Sequence, residues 1–323
     1  DGSYSYARAF LVGLLNTLLV SVIGILIATL IGVTIGIGRL SSNFLVAKFS
    51  EVYVEVFRNI PLLLQLFFWY FAALRALPLP ENAINFYDIS YLTVKGWYVP
   101  KFIWNNFSIF LYSIIASIVA IIFVSRYAKK QREEFGKHIS TFYFGIGLLF
   151  AIPGLSFLIG GVTLEFEIPV LEQMSTTIFN FRGGVSIIPE LMSLALALSM
   201  YTATFIAENV RAGIVGIGKG QKEAAASIGL NNTQILKLVV LPQALRIIIP
   251  PTTNQYLNLT KNSSLAAAIA YPDLVLVFAG TALMQTGRAI EIVSITMGTY
   301  LFLSLSISFF MNWYNQSVAI KEK

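Results

Sequence analysis

The run Gln221-Lys222-Glu223-Ala224-Ala225-Ala226-Ser227-Ile228-Gly229-Leu230 is the part of this chain best suited to grip a soluble partner. It is polar, rich in helix formers, and set between long apolar stretches. Ala224 to Ala226 offer a small-residue surface that another protein can approach closely, and Lys222 and Glu223 add directional polar contacts. Gly229 is placed to end one helix and Asn231-Asn232-Thr233 to cap the next, with Pro242 closing the second. Residues 208–243 therefore read as a helix-turn-helix on a membrane surface. The plain alternative is an amphipathic loop resting on headgroups.

A second cluster could handle a small polar solute. Thr252, Thr253, Asn254, Gln255, Asn258, Thr260, Lys261, Asn262, Ser263 and Ser264 follow Pro250-Pro251 inside an otherwise apolar region. So many donors and acceptors must face other helices or a wet path rather than lipid. Lys261 supplies a cation for a carboxylate, while Asn258, Asn262, Ser263 and Ser264 supply neutral partners, a set suited to passing a zwitterion. Gln65, in an earlier apolar stretch, is a further candidate for that path. Interhelical packing by Ser, Thr and Asn is the alternative. Two i,i+3 charge pairs, Glu55 with Arg58 and Glu208 with Arg211, are candidates for gating or for ordering the structure around them, with Glu51 also near Arg58.

Other chemistries lack their residues. There is no cysteine and the one histidine is His138, so Cys-based zinc and most His-based catalysis are excluded, and no metal site is expected. No G-x-x-x-x-G-K-[ST] loop occurs, so any nucleotide is expected on a partner. Nor does a Ser/His or His/Asp/Glu constellation point to an enzyme. The net charge of +6 comes from basic runs flanking apolar stretches, as membrane orientation requires, and not from a nucleic-acid surface.

With 56% apolar and 12% charged residues, the chain reads as an all-α polytopic membrane protein. Seven stretches are long enough to span a bilayer: about 10–38, 55–77, 107–124, 142–159, 187–206, 244–270 (interrupted by its polar cluster) and 290–313. Between the second and third lies an insert with Pro-Leu-Pro, Trp97 and Trp104, read as an interfacial aromatic rim, and after the fourth an acidic loop carrying Glu165, Glu167 and Glu172. Placing the Lys/Arg-rich segments 39–48, 126–137, 211–246 and the tail 321–323 on the cytoplasmic side puts Asp1 outside and Lys323 inside. The numbering opens without an initiator Met, and a further segment is expected before Asp1.

Four collinear motifs carry a family resemblance. Glu223-Ala224-Ala225, with Gly229 after it and Leu241-Pro242 about a dozen residues on, looks like the EAA loop of ABC importer permeases, where the paired ATPase docks. Ala207-Glu208-Asn209-Val210-Arg211-Ala212-Gly213-Ile214 leading into Gly220-Gln221 resembles their polar amino acid branch, as do Asn16-Thr17-Leu18, Val56 to Gln65, and Lys261-Asn262-Ser263-Ser264-Leu265. The one departure in the EAA motif, Val239 for Ile, preserves shape. The chain is similar to the enlarged general L-amino acid (Aap/Bzt-type) permease subunits.

That resemblance implies a type I ABC importer transmembrane fold, a five-span core with two extra spans inserted: 1–77 and 187–323 form the transmembrane domain and 78–186 the insert. It implies ATP-driven import of L-amino acids by alternating access, with Gln221, Glu223, Ala224, Ala225, Gly229 and Leu230 coupling to an ABC ATPase dimer that holds ATP and Mg. A second permease subunit, a paralogue in a heterodimer, a periplasmic amino-acid-binding protein and membrane lipid are the implied partners. The implied location is the bacterial inner membrane with a cytoplasmic C-terminus. An ion-coupled secondary amino acid transporter is the alternative, and it would need titrating acids at mid-membrane, of which the apolar spans are nearly free.

Overall fold

The computed structural model describes residues 5–135, 141–175 and 178–318. Asp1, His138 and the tail 321–323 lie outside them. In chain order the elements are α1 (Tyr6–Gly38), α2 (Phe44–Asn59), α3 (Leu62–Phe67, continued by a π turn over Phe68–Leu74), β1 (Ile84–Phe86), β2 (Ser90–Thr93), β3 (Gly96–Val99), β4 (Lys101–Asn105), α4 (Phe107–Phe135) and α5 (Thr141–Leu158). Then follow β5 (Thr163–Glu167), β6 (Val170–Ser175), β7 (Ile178–Arg182), β8 (Val185–Ile187), α6 (Pro189–Val215), α7 (Lys219–Ser227), α8 (Asn232–Gln234), α9 (Leu241–Asn262), α10 (Thr281–Thr286) and α11 (Ala289–Val318). The chain divides into two compact units, one of 1–77, 94–96 and 188–323, the other of 78–93 and 97–187.

The first unit is built on the α1–α6 pair. The buried face of α1 is Gly13, Thr17, Val20, Ser21, Gly24, Ala28, Gly32 and Gly36, small residues recurring at helical spacing. Hydrocarbon gives two helices no hydrophobic reason to associate, so close backbone packing of small residues supplies it. At Gly32 a Cβ would come 2.6 Å from the Ile206 side chain, and at Gly36 it would come 2.7 Å from the Ala207 carbonyl. Leu66, Tyr70, Leu194, Leu198, Ile206 and Leu259 complete the core between α1, α3, α6 and α9.

Among the described residues five helices are long and apolar enough to cross a membrane: Tyr6–Gly38, Phe107–Ala128, Pro189–Val215, Asn232–Ile269 and Ala289–Gln316, with Phe44–Asn59 plus Leu62–Leu74 as a bent pair. Four of the five and the bent pair lie in the first unit. Several boundaries depart from the sequence reading. The second stretch is not one straight helix, because α2 meets α3 at 102° across Ile60-Pro61. Pro61 excludes the preceding residue from helical geometry, and Ile60 sits at φ −91, ψ 129. The fourth stretch is a shorter apolar helix, Phe144–Leu158, carrying Pro153. The basic run from Arg126 to Arg132 is the helical end of α4 and not a loop.

The sixth stretch is continuous helix from Asn232 to Ile269. Pro242 does not end it: a π turn over Ile235–Val240 precedes the proline and shifts the hydrogen-bond ladder around its missing N–H. The polar cluster leaves this helix as a tight 3-10 segment, Ser263–Ile269, closed by Ala270 at φ 60. A short apolar segment over Leu274–Thr286 follows, which the sequence reading left unassigned.

The second unit adds strands to a helical protein. β1-β2-β3-β8 form one sheet, β4-β5 and β6-β7 two ribbons. β4 enters α4 and β5 follows α5, and their register from Lys101↔Glu167 to Asn105↔Thr163 ties together the ends of the helical hairpin. Trp104 stands among Phe107, Phe110 and Phe157 at that junction, with Phe110 at a 4.8 Å ring separation. The aromatic residues read as an interfacial rim are thus strand residues, with Tyr98 and Tyr91 packed on Phe181 at 4.8 and 4.6 Å.

Candidate functional site

The segment after α6 folds as its residues dictate. α7 carries Gln221, Glu223, Ala224 and Ala225, and ends in a Schellman turn: Gly229 N–H bonds the Ala226 carbonyl at 2.9 Å and Leu230 N–H the Ala225 carbonyl at 3.3 Å. Gly229 takes φ +86, a left-handed conformation that a residue with Cβ resists. Two residues on, Asn231 caps the next helix reciprocally with Gln234, each side chain bonding the other's backbone N–H at 2.9 Å. Both helix ends are therefore satisfied within the turn itself.

The buried side of this turn is a small core of Ile217, Ala225, Ile235, Val240 and Ala244, against which Ile214, Leu230, Val239 and Ile248 pack. Its other side is open. Gln221, Glu223, Ala224 and Ala226 are exposed, and Ile228 is 77% exposed, Leu236 49% and Leu238 65%. A shallow pocket of about 480 Å³ is lined by Lys222, Glu223, Ala226, Asn232 and Leu236 among others. Of the six residues expected to couple, Ala225 is buried and Leu230 half-buried, so they hold the turn while the other four remain available to a partner.

The expected solute path separates into two groups. Asn258 and Lys261 are exposed one turn apart on α9, with Asn262 and Ser264 half-buried beyond them. Lys261 and Ser264 line an open groove of about 450 Å³ with Thr296, Tyr300 and Ser304 of α11, polar residues that the sequence reading had not assigned. Ser263, by contrast, is fully buried and its hydroxyl donates to the Thr260 carbonyl at 2.7 Å. Gln65 is 4% exposed, and its Nε2 donates to the Phe57 and Ile60 carbonyls at 2.7 and 2.9 Å. It staples the α2–α3 corner and faces no open path here.

The charge pairs also differ from one another. Arg58 lies 3.8 Å from Glu55 with both side chains more than a third exposed, a geometry worth little, while Glu51 pairs with Lys48 at 2.9 Å. Glu208 is held far more closely: Arg211 reaches its carboxylate at 2.5 Å, and Arg39, at the end of α1, bonds its other oxygen. No local signal joins Arg39 to Glu208, which are 169 residues apart in sequence. Asn16 and Thr17, quoted above for resemblance alone, pin the turn before Leu274: Asn16 Nδ2 donates to the Pro272 carbonyl at 2.8 Å, and Leu274 N–H donates to Thr17 Oγ1 at 3.1 Å. Beside them Asp273 is buried and caps the following segment through the Leu276 N–H at 2.8 Å. Among the described residues no group of three or more His, Cys, Asp or Glu could hold a metal ion.

Comparison with known proteins places this geometry. Residues 139–320 match the family model described as binding-protein-dependent transport system inner membrane component. The chain is 52% identical over 320 residues to the general L-amino acid transport system permease protein AapQ of Rhizobium johnstonii, covering 99% of this chain and 78% of that protein. It is 49% identical to the amino-acid ABC transporter permease protein YhdX of Escherichia coli K12, over 99% of this chain and 80% of the relative. The glutamate/glutamine/aspartate/asparagine transport system permease protein BztB of Rhodobacter capsulatus is 40% identical over 318 residues, with 88% and 73% covered. In fold, the chain matches the crystal structure of an amino acid ABC transporter with histidines at a TM-score of 0.55 and 20% identity, covering 97% of this chain and 95% of that one.

Proposed function

This chain belongs to the family of binding-protein-dependent transport system inner membrane components and is a permease subunit of an amino-acid ABC importer; from that premise we propose which of its residues couple it to ATP and which carry the solute. It is a multi-pass transport component and not an enzyme, and a subunit of this kind works with an ATPase and a binding protein. The exposed side of α7 and the turn after it, Gln221, Glu223, Ala224 and Gly229 with Ile228 and Leu236 flanking, enters a groove on the ATPase. ATP and Mg are held there, on the ATPase dimer. Closure of that dimer pushes the turn, and the packed core behind Ala225 passes the displacement to α6 and α9.

The observation that supports this reading is the asymmetry of the 219–240 turn. Its two helix ends are capped and one face is packed, yet the large apolar side chains of Ile228, Leu236 and Leu238 stand exposed around it. A partner that covers them gains buried apolar area without having to order the loop.

For the solute we propose the groove between α9 and α11. Lys261 takes the carboxylate, and Asn258, Asn262 and Ser264 replace water along the way, while Gln65 and Ser263 serve as structural groups. We also propose that the second permease subunit is a paralogue in a heterodimer and that it covers the exposed polar face of α9. The location proposed is the bacterial inner membrane, with the 219–240 turn and the C-terminus in the cytoplasm. The strands that carry Glu165, Glu167 and Glu172 and the insert over 81–100 lie outside and enlarge the surface offered to the binding protein.

Uptake of a labelled L-amino acid panel into proteoliposomes holding the complete transporter tests this. ATP-dependent uptake that falls in Glu223→Ala and in Lys261→Met is the expected result. Uptake by this chain without the ATPase would instead establish the ion-coupled alternative.

A further inference from the structure

We propose that Arg39 is a positioning residue for energy coupling, which fastens α1 to the end of α6 that leads into the coupling turn, so that ATP-driven movement reaches α1 as well as α6 and α9. The inference rests on the ATP-driven reading of the turn. It adds a residue and a helix that lie far from the EAA segment in sequence.

The geometry is a shared carboxylate. Glu208 stands near the end of α6, with Arg211 one turn further on, and the turn begins at Lys219. Arg211 bonds Glu208 Oε1 through NH2 at 2.5 Å, with its Nε at 3.1 and 3.2 Å from the two carboxylate oxygens. Arg39 approaches Oε2 from the other helix. Its side chain is 17% exposed and that of Glu208 30%, so the pair is screened less than a surface bridge. Arg39 is the C-cap of α1, with its N–H bonded to the Ile35 and Ile37 carbonyls, which fixes the base of the side chain.

The clamp closes the tightest part of the helix seam. Gly32 and Gly36 bring α1 into backbone contact with Ala203, Ile206, Ala207 and Val210 in the two turns before it. Small-residue contact resists approach but offers no directional resistance to sliding along the seam. A charge-assisted bond at its end supplies that resistance, because sliding would separate half-buried opposite charges. One turn beyond Val210 along α6, Gly213 rests on Ile248 and Ala244 of α9, beside the core behind the coupling turn. A displacement of α7 therefore meets α6, and through Glu208 and Arg39 it meets α1.

The test uses the complete transporter in proteoliposomes, comparing wild type, Arg39→Gln and Arg39→Lys, and reads amino acid taken up per ATP hydrolysed together with recovery of the assembled complex. Arg39→Gln is expected to assemble and to hydrolyse ATP while uptake per ATP falls about fivefold or more, within the usual range of site-to-site coupling, and Arg39→Lys is expected to restore most of the ratio. A ratio in Arg39→Gln within about twofold of wild type, below that range, would overturn the inference, as would loss of assembly in both variants, which marks Arg39 as structural only. If wild type itself shows no ATP-dependent uptake, the functional reading fails and not the clamp alone.

Discussion

Gly229 offers the sharpest check on how the coupling turn is built. At φ +86 its backbone is left-handed, and a Cβ placed there meets no atom within 4 Å. The penalty for Gly229→Ala is therefore backbone strain alone, about 1–2 kcal/mol. Asn tolerates this region better than other residues with Cβ, so Gly229→Asn should cost about half as much or less. If the ATPase grips only the capped turn, the strain appears in docking: about 1.4 kcal/mol weakens affinity tenfold, so Gly229→Ala should weaken it by about five- to thirtyfold. Gly220→Ala is the opposing control, since residue 220 lies inside α7, its Cβ also meets nothing, and helix propensity favours Ala by about 1 kcal/mol. Titrating detergent-purified permease complex with fluorescent ATPase subunit measures all three. Equal affinity for Gly229→Ala and wild type, or an Asn variant weaker than the Ala variant, would refute the Schellman turn as the required conformation.

Three further outcomes follow from the packing. Gly36→Ala places a Cβ 2.7 Å from the Ala207 carbonyl, where backbone cannot yield, and should destabilise the α1–α6 pair by about 1–3 kcal/mol, while Gly298→Ala, with nothing within 4 Å, should be neutral or slightly stabilising; thermal unfolding in detergent separates them. Thr17→Val keeps shape but orphans the Leu274 N–H, a loss of about 1 kcal/mol in a membrane protein that should appear as faster hydrogen exchange over 272–278. Burial holds the Tyr98 phenol above the usual tyrosine range, against a smaller opposing effect of Ser186. Because the folded state favours the neutral phenol, its contribution is present below the ordinary tyrosine pKa and is lost as pH rises through the elevated one. Tyr98→Phe should leave the early tyrosinate absorbance unchanged, where loss of an ordinary phenol would lower it by one group, and that variant, which loses the 3.0 Å bond to Asn180, should exchange faster over 97–99 and 185–187.

Much of this architecture could be read from the chain because the signals were local. The coupling turn announces itself by polar composition between apolar stretches, and Gly229 and Asn231-Asn232-Thr233 mark its helix ends with the residues that those ends need. The Glu208–Arg211 pair is one helical turn long and equally legible. What escaped were relations between distant residues. Arg39 reads as one more positive residue beside a span until α1 is laid against α6. The ladder from Gly13 to Gly36 is written in the sequence, but in a helix apolar all round it selects no face until a partner helix is known.

Proline breaks the helix at Pro61 and fails to break it at Pro242. Pro61 does break the chain, into the 102° corner that Gln65 then staples through the Phe57 and Ile60 carbonyls. At Pro242 a π turn absorbs the missing N–H and the helix continues. Strands of three to six residues in the second unit were hidden because their aromatic side chains are also those of an interfacial rim.

The measurement that bears most directly on the central claim uses the absence of native cysteine. Single thiols introduced by Glu223→Cys, by Ala226→Cys and, as a control on the exposed side of α11, by Leu301→Cys each give one reactive site in this chain. Cross-linking to the ATPase subunit by a short thiol-to-amine reagent is predicted at positions 223 and 226, to change in yield when ATP binds, and to be absent at 301. A cross-link pattern that favours 301, or none at 223 and 226 in a transporter that still imports amino acids with ATP, would contradict the account of how this subunit is driven.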